Sequence, residues 1–492
     1  MLSILVERFM GAASLLIATA CRELADDVHE LKWVARDQAR RAEGAASPDS
    51  LLGNLRRAAL GDAAELDSIA DCLRKSPDRC ALRDASARRF AFADSIRRRQ
   101  AVLAGALVAD SWQSPSIRHS CRPQAGPALG LVSAHHDDYA RDRHPAGAAY
   151  ERLLAATRSP GAAALLTSCG MSAVVVALER LKRAGALRDA VLLGSSTYHE
   201  TRDLVIQAAP HALIHDEHPD AGFIAAVRRL RPGCVVLDAV ATEVGVAVPD
   251  LARIAEVLAV GRPGAWLLVD ITGAPLVSPL ALPEARSGTL HVLALESLTK
   301  HAQLGLDRVS AGALYTSLID SAVLDQLREH AGANIADASV HALPTPERGV
   351  LARRLGRHTR NADLLAHRLA VAAPTGVEVA HPALATHPAH TRRPATWLTL
   401  HLPSPRHADT FTDIALARAR ERSVALVEGA SFGLDTTRIY APAGRCAESG
   451  FVRISPGIEH SKALLSLTDV LTFALTRTIA AHEEAHFESG VA

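Results

Sequence analysis

Residues 291–301 read HVLALESLTKH, an apolar run that ends in Ser297, Thr299 and a lone lysine at Lys300. A second apolar run, AGALY at 311–315, follows closely. Between two buried strands a lysine is either a surface group whose stem snorkels past apolar neighbours or a piece of chemistry. The rest of the chain decides which.

Upstream, short apolar runs recur with helical segments between them. AAALLTS at 162–168 precedes the helical MSAVVVALERLKRAG, and AVLLG at 190–194 precedes ETRDLVIQAA. HALIHD, CVVLDAV and AWLLVDI continue the series to HVLALES and VSAGALYT. Runs of 4–8 apolar residues alternating with helices predict a mostly parallel sheet covered on both faces. After about residue 335 the pattern changes. A long amphipathic stretch from Arg348, an alternating TWLTLHL, a helical DTFTDIALARARERS, the strand-like VRISPGIE and a closing helix from Lys462 predict an α+β unit. Residues 1–110 repeat apolar positions at three and four, as in LLIATACRELADDVHELKWVARDQARRA, and read as helix that packs on the main body or on a partner subunit. The stretch 111–145, rich in Ser, Pro, His and Gly, reads as a linker or wrapping arm. The expected division is 1–110, 111–335 and 336–492, which suits a chain of 492 residues.

Composition narrows the function. A net charge of +1 gives no electrostatic case for nucleic acid or a membrane surface. Seven cysteines, odd in number and without CxxC spacing, point to a reducing, cytoplasmic setting rather than a disulfide framework. No run reaches the roughly 18 apolar residues of a membrane span. The N-terminal MLSILVERFMGAASLLIATAC is interrupted by Glu7 and Arg8 and reads as an amphipathic helix, not a signal peptide. HHDDY at 135–139 has metal-like letters but reads as a solvated polar loop, so no metal is expected.

Ligands of open α/β sheets bind at the carboxyl ends of the strands. The residues following each run here form a set. TSCGMSA offers a small-residue turn opening a helix, a seat for an anion. Tyr198 follows AVLLG, Asp270 ends AWLLVD, and Ser297, Thr299 and Lys300 end HVLALES. Each alone has an ordinary explanation: a loop aromatic, a helix cap, a surface lysine. Together an anion seat, an aromatic ring, a carboxylate and a lysine on one sheet edge suit pyridoxal phosphate.

Eight segments, in order over about 135–480, carry a resemblance to a known family. They are DDYARDRHPAGAAYERLLA, TSCGMSA, STYHET, LLVDITGAP, ESLTKH, the helix from Arg348, GASFGLDTTRIYAP and FVRISPGIEH. In motif and spacing they resemble the cysteine/methionine-metabolism, or trans-sulfuration, family of PLP-dependent enzymes. The resemblance implies an α/β PLP fold type I (aspartate-aminotransferase-like), with a mostly parallel central sheet and a smaller α+β C-terminal domain; the N-terminal helical extension stands outside that common core. It implies pyridoxal 5'-phosphate as cofactor, with Lys300 as Schiff-base lysine and proton shuttle, and Asp270 on the pyridinium nitrogen. Gly170 and Met171 would give amides to the phosphate, Ser297 and Thr299 hydroxyls, and Tyr198 would stack on the ring. Tyr139 and Arg141 would reach the phosphate of a neighbouring subunit, so a homodimer or homotetramer is implied. Arg453, with Ser431 nearby, would hold the substrate α-carboxylate. The implied activity is β/γ-elimination or γ-replacement on an L-amino acid with a leaving group at Cβ or Cγ.

The chain also departs from the family pattern. Thr242 stands for the usual asparagine, His199 and Glu200 for glycines, His301 for the tyrosine after the lysine, and Ala430 for an acid that in the lyases reads the distal part of the substrate. These changes spare the cofactor motifs and point to a specialised substrate. Two other readings stay open: a natural-product enzyme eliminating from an unsaturated or halogenated amino acid, and a PLP-binding protein without turnover.

Overall fold

The computed structural model describes residues 2–43, 50–111, 145–216, 220–242, 244–384, 395–442 and 450–489. Its centre is a seven-stranded sheet in the order β1-β7-β6-β5-β4-β2-β3. The strands are β1 (Ala163–Thr167), β2 (Val191–Gly194), β3 (Leu213–His215), β4 (Cys234–Asp238), β5 (Ala265–Asp270), β6 (Leu290–Ser297) and β7 (Gly312–Thr316). Only β7 runs against its neighbours, so β1, β4, β5 and β6 all end at one edge. The mostly parallel sheet expected from the sequence is present.

The near-continuous apolar character of these strands follows from burial on both faces. Successive side chains alternate between two cores. Val235, Leu237, Leu267 and Val269 enter one with Phe223, Ile254 and Leu258 from covering helices. Val236, Leu268, Leu293 and Leu295 enter the other with Val174, Leu178, Leu181 and Leu327. A second sheet, in the order β10-β11-β12-β9-β8, belongs to the C-terminal part. It comprises β8 (Glu378–Ala380), β9 (Leu398–Leu402), β10 (Val427–Glu428), β11 (Arg438–Tyr440) and β12 (Gly450–Ser455). The helices Arg348–Ala372, Pro405–Glu421 and Ser461–Ser489 accompany it. Contrary to the expectation from sequence, the segment Ser461–Ala481 is by length and composition long and apolar enough to cross a membrane. Its Leu464, Leu467, Leu471 and Leu475 are buried with Phe411, Leu400 and Ile454, which is the behaviour of a core helix.

Three helices precede this body: α1 (Leu2–Arg41), α2 (Leu51–Lys75) and α3 (Arg79–Ser111). The Ser50 side chain accepts the Gly53 N–H and starts α2. Leu66, Ile69 and Leu73 of α2 then meet Leu24, Val28 and Leu31 of α1 and Ile96 of α3. The same core takes in Leu304, Leu306 and Val350 from the body. Arg41 donates to the Leu343 carbonyl at 3.0 Å and Gln100 to that of Ala342 at 2.9 Å. The extension packs on its own chain, one of the two options its amphipathic pattern allowed.

Candidate active site

Three carboxyl-terminal strand ends and one helix start meet around a cavity of about 630 Å³. It is lined by Gly170, Met171, Tyr198, Asp270, Ser297, Thr299, Lys300 and Arg453, among others.

The anion seat comes first. The helix Gly170–Arg183 begins directly after β1 and a two-residue turn. Its cap is Cys169, whose sulfur accepts the Ser172 N–H at 3.3 Å. The amides of Gly170 and Met171 are the first two of the helix, where an N–H has no acceptor within the helix. Gly170 is required by contact, since a Cβ there would stand 2.9 Å from Cβ of Ser297. The Ser297 hydroxyl lies 2.7 Å from that of Thr299. Two amides and two hydroxyls thus converge in the manner of a phosphate cradle.

Asp270 closes β5, where its carboxylate accepts the Thr272 N–H at 2.8 Å. Burial raises its pKa to about 6, Thr272 opposing and the Glu296 charge adding to the rise. A buried carboxylate of this kind is relieved by a cationic partner. Lys300 lies across the cavity, its Nζ donating to Ser431 Oγ at 3.2 Å and lying 5.2 Å from the Phe432 ring centroid. Burial lowers its pKa to about 8, helped by the guanidinium of Arg453. Far more of the amine is therefore neutral and nucleophilic near neutrality than in an ordinary lysine, about a tenth of it at pH 7.

Tyr198 stands at the start of the helix His199–Ala208, half-buried, its N–H donated to Asp238 at 3.2 Å. Burial and then the Glu200 charge raise its phenol to about 12. Arg453 leaves β12 and is buried. It donates to the carbonyls of Thr242 and Ala430, and its guanidinium carbon lies 5.3 Å from the Tyr440 ring centroid.

The structure brings Gly170, Met171, Tyr198, Asp270, Ser297, Thr299, Lys300, Ser431 and Arg453 together. Tyr139 and Arg141, like the HHDDY stretch, lie outside the described residues. The sequence reading missed Asp238, Phe432 and Tyr440. Asp238 was within reach, because it ends β4 one strand over from Asp270, in register with it. Phe432 and Tyr440 lie in the segment GASFGLDTTRIYAP, whose likeness to the family pattern pointed to Ser431 but not to these two rings.

The donor set fits pyridoxal phosphate: a phosphate cradle, an aromatic wall, a carboxylate for a ring nitrogen and an amine of lowered pKa. Comparisons with known proteins agree. Solved structures of similar fold include cystathionine gamma synthase from Xanthomonas oryzae pv. oryzae, with TM-score 0.57, 21% identity, and coverage of 74% of this chain and 93% of that one. Another is CalE6, a methionine gamma lyase from Micromonospora echinospora, with TM-score 0.54, 24% identity, and coverage of 70% and 90%. Bifunctional enzyme flvA of Aspergillus flavus is 28% identical over 314 residues, or 60% of this chain and 37% of that protein. The chain thus spans little more than a third of that relative's length. The profile of the Cys/Met metabolism PLP-dependent enzymes matches residues 117–396, more than half of the chain. This protein belongs to that family, and its cofactor is pyridoxal phosphate.

Proposed function

We propose that the chain catalyses β/γ-elimination or γ-replacement on an L-amino acid bearing a leaving group at Cβ or Cγ, with a specialised substrate. The observation that carries this reading is the convergence of Lys300, Asp270 and Arg453 on one cavity with a phosphate cradle behind them. When bound, the cofactor supplies an electron sink that acidifies Cα and then Cβ of an attached amino acid.

The residues divide the remaining work. Gly170, Met171, Ser297 and Thr299 hold the phosphate. Asp270, ionised above about pH 6, holds the ring nitrogen protonated. Tyr198 would stack on the ring, and it remains a phenol at neutral pH because its pKa is raised to about 12. Arg453 orients the substrate by its α-carboxylate, in the two-pronged geometry that guanidinium offers. Lys300 would hold the cofactor and, freed by an incoming substrate amine, its neutral amine would accept the Cα proton and keep it as an ammonium for return to a later carbon or to the departing group. Ser431 is placed to receive a hydrogen bond from that amine and aim it.

The pocket differs from the family pattern where the distal part of a substrate is read. Ala430 removes an acid, while His199 and Glu200 line the cavity in place of glycines. These side chains support a substrate other than cystathionine. Tyr139 and Arg141 keep the proposed role of reaching a neighbouring subunit's phosphate in a homodimer or homotetramer. A reducing, cytoplasmic setting is supported by Cys21, Cys72, Cys80, Cys169 and Cys234, all free thiols.

The test is an absorbance series with a panel of β- and γ-substituted L-amino acids, following new long-wavelength bands together with release of ammonia or thiol. Turnover of γ-substituted compounds that is lost in Lys300→Ala supports the reading. Binding of pyridoxal phosphate with no spectral response to any of them would favour a protein without turnover.

A further inference from the structure

Two loops present the reactive side chains, and the helical extension reaches both. The first begins at Lys300 and turns through Leu304 and Gly305, at φ 51° and 77°. The second carries Ala430, Ser431 and Phe432 and runs on to Asp435. From α3, Arg97 donates to the Gly305 carbonyl at 2.7 Å. Arg89, eight residues earlier and so on the same face, donates to the Asp435 carboxylate at 2.8 Å and to Asp27 of α1 at 2.7 Å. Arg354, wholly buried, donates to Glu30 of α1 at 2.6 Å, to Asp435 at 2.7 Å and to the Gly433 carbonyl at 2.9 Å.

The two loops also interlock. A Cβ on Gly305 would collide with the Asp435 carboxylate and stand 2.8 Å from the Arg354 guanidinium. Leu304 and Leu306 sink into the extension's core. Burial alone would raise the Asp435 carboxyl, yet Arg89 and Arg354 hold it well below the usual carboxylate range. Buried ion pairs add little net stability over apolar packing of the same volume. What this network supplies is fixed geometry at the two loops. The family match begins at residue 117, so α1–α3 lie outside it.

We propose that the helical extension is a functional part of the active site, with Arg89 and Arg97 as positioning residues that fix the loops bearing Ser431 and Lys300. The extension thereby sets how tightly the cofactor is held. The inference rests on the role assigned to Lys300 above.

The test uses the full chain carrying Arg89→Met, Arg89→Lys, Arg97→Ala or, as control, Arg98→Ala, whose partner Asp94 is on the surface. Hydrogen exchange is measured on the cofactor-free proteins, and pyridoxal phosphate is then titrated by absorbance. The expected result for Arg89→Met is exchange at least tenfold faster in segments 300–306 and 430–436, with β4–β6 unchanged. Its dissociation constant for pyridoxal phosphate rises at least fivefold. Arg89→Lys recovers most of both effects, and Arg98→Ala shows neither.

Unchanged exchange and affinity in folded Arg89→Met would overturn the proposal. So would faster exchange spread evenly over all strands, which marks simple destabilisation. If Arg89→Met does not fold, Arg97→Ala decides by the same two readouts. Failure of the functional reading is separable, since it appears in the unaltered chain as cofactor binding with no response to the amino-acid panel, while the exchange and cofactor-affinity results still stand.

Discussion

At the residue scale, Lys300 governs two measurable pH dependences. The amine attacks only when neutral, and its pKa is lowered to about 8. The rate of covalent cofactor attachment should therefore rise about tenfold per pH unit below pH 8 and flatten above it, as read by stopped-flow absorbance. The same shift bears on stability. The unfolded lysine titrates near 10.5, so between about 8 and 10.5 the unfolded chain binds more protons than the folded one. Stability of the cofactor-free chain rises with pH across that window, and the full cost of the buried ammonium is felt below it. Lys300→Met should therefore be the more stable protein below pH 8, by on the order of 3 kcal/mol, with the gap closing toward pH 10.5 in thermal melts. On the proposed role of Arg453, Arg453→Lys should lower kcat/KM by about 30- to 100-fold, mostly through KM, because a lysine would not reproduce a bidentate contact to the substrate carboxylate.

At the element scale, the strand ends were the legible part. Buried parallel strands announce themselves as uninterrupted apolar runs, and a polar residue at the end of such a run has few places to go but the ligand edge. That rule located Asp270 and Lys300 without any structure, and it would have located Asp238 had it been applied to CVVLD. The second sheet was harder to read. Arg453 sits mid-strand in β12, where strand periodicity says nothing of which neighbour it meets, and it came from the family resemblance instead. Tyr440 and Phe432 lie in a segment that the resemblance covers, but its pattern singles out Ser431 and not the two rings. The turn into the helix at Gly170 offers a sharp check. Gly170→Ala places a methyl 2.9 Å from Cβ of Ser297. The cradle must open to accommodate it, so the pyridoxal phosphate dissociation constant should rise at least tenfold while the secondary structure seen by circular dichroism is kept.

At the scale of the whole molecule, α1–α3 are the departure from the common core. Their helical pattern was plain in the sequence, but the ion pairs that dock them were not. Arg89, Arg97 and Arg354 look like any arginines on polar helix faces, and the partners that join extension to body lie 208 to 346 residues away in sequence. Removing one partner of such a network leaves buried charge uncompensated, so Arg354→Ala should cost about 3–5 kcal/mol in denaturant melts. A chain lacking residues 1–111 would expose Leu304, Leu306 and Val350, and it should elute as aggregate in size exclusion. The Arg89–Asp435 pair has a consequence in time as well as in space. Its members are 346 residues apart in sequence, so the loop that carries Ser431 can be locked only after the last third of the chain has met the first. During refolding the helices can form early from local contacts, whereas contacts between distant parts of the chain must first overcome loop-closure entropy and arrive late. If the extension fixes the loops as proposed, recovery of the cofactor's absorbance should lag behind recovery of helical circular dichroism.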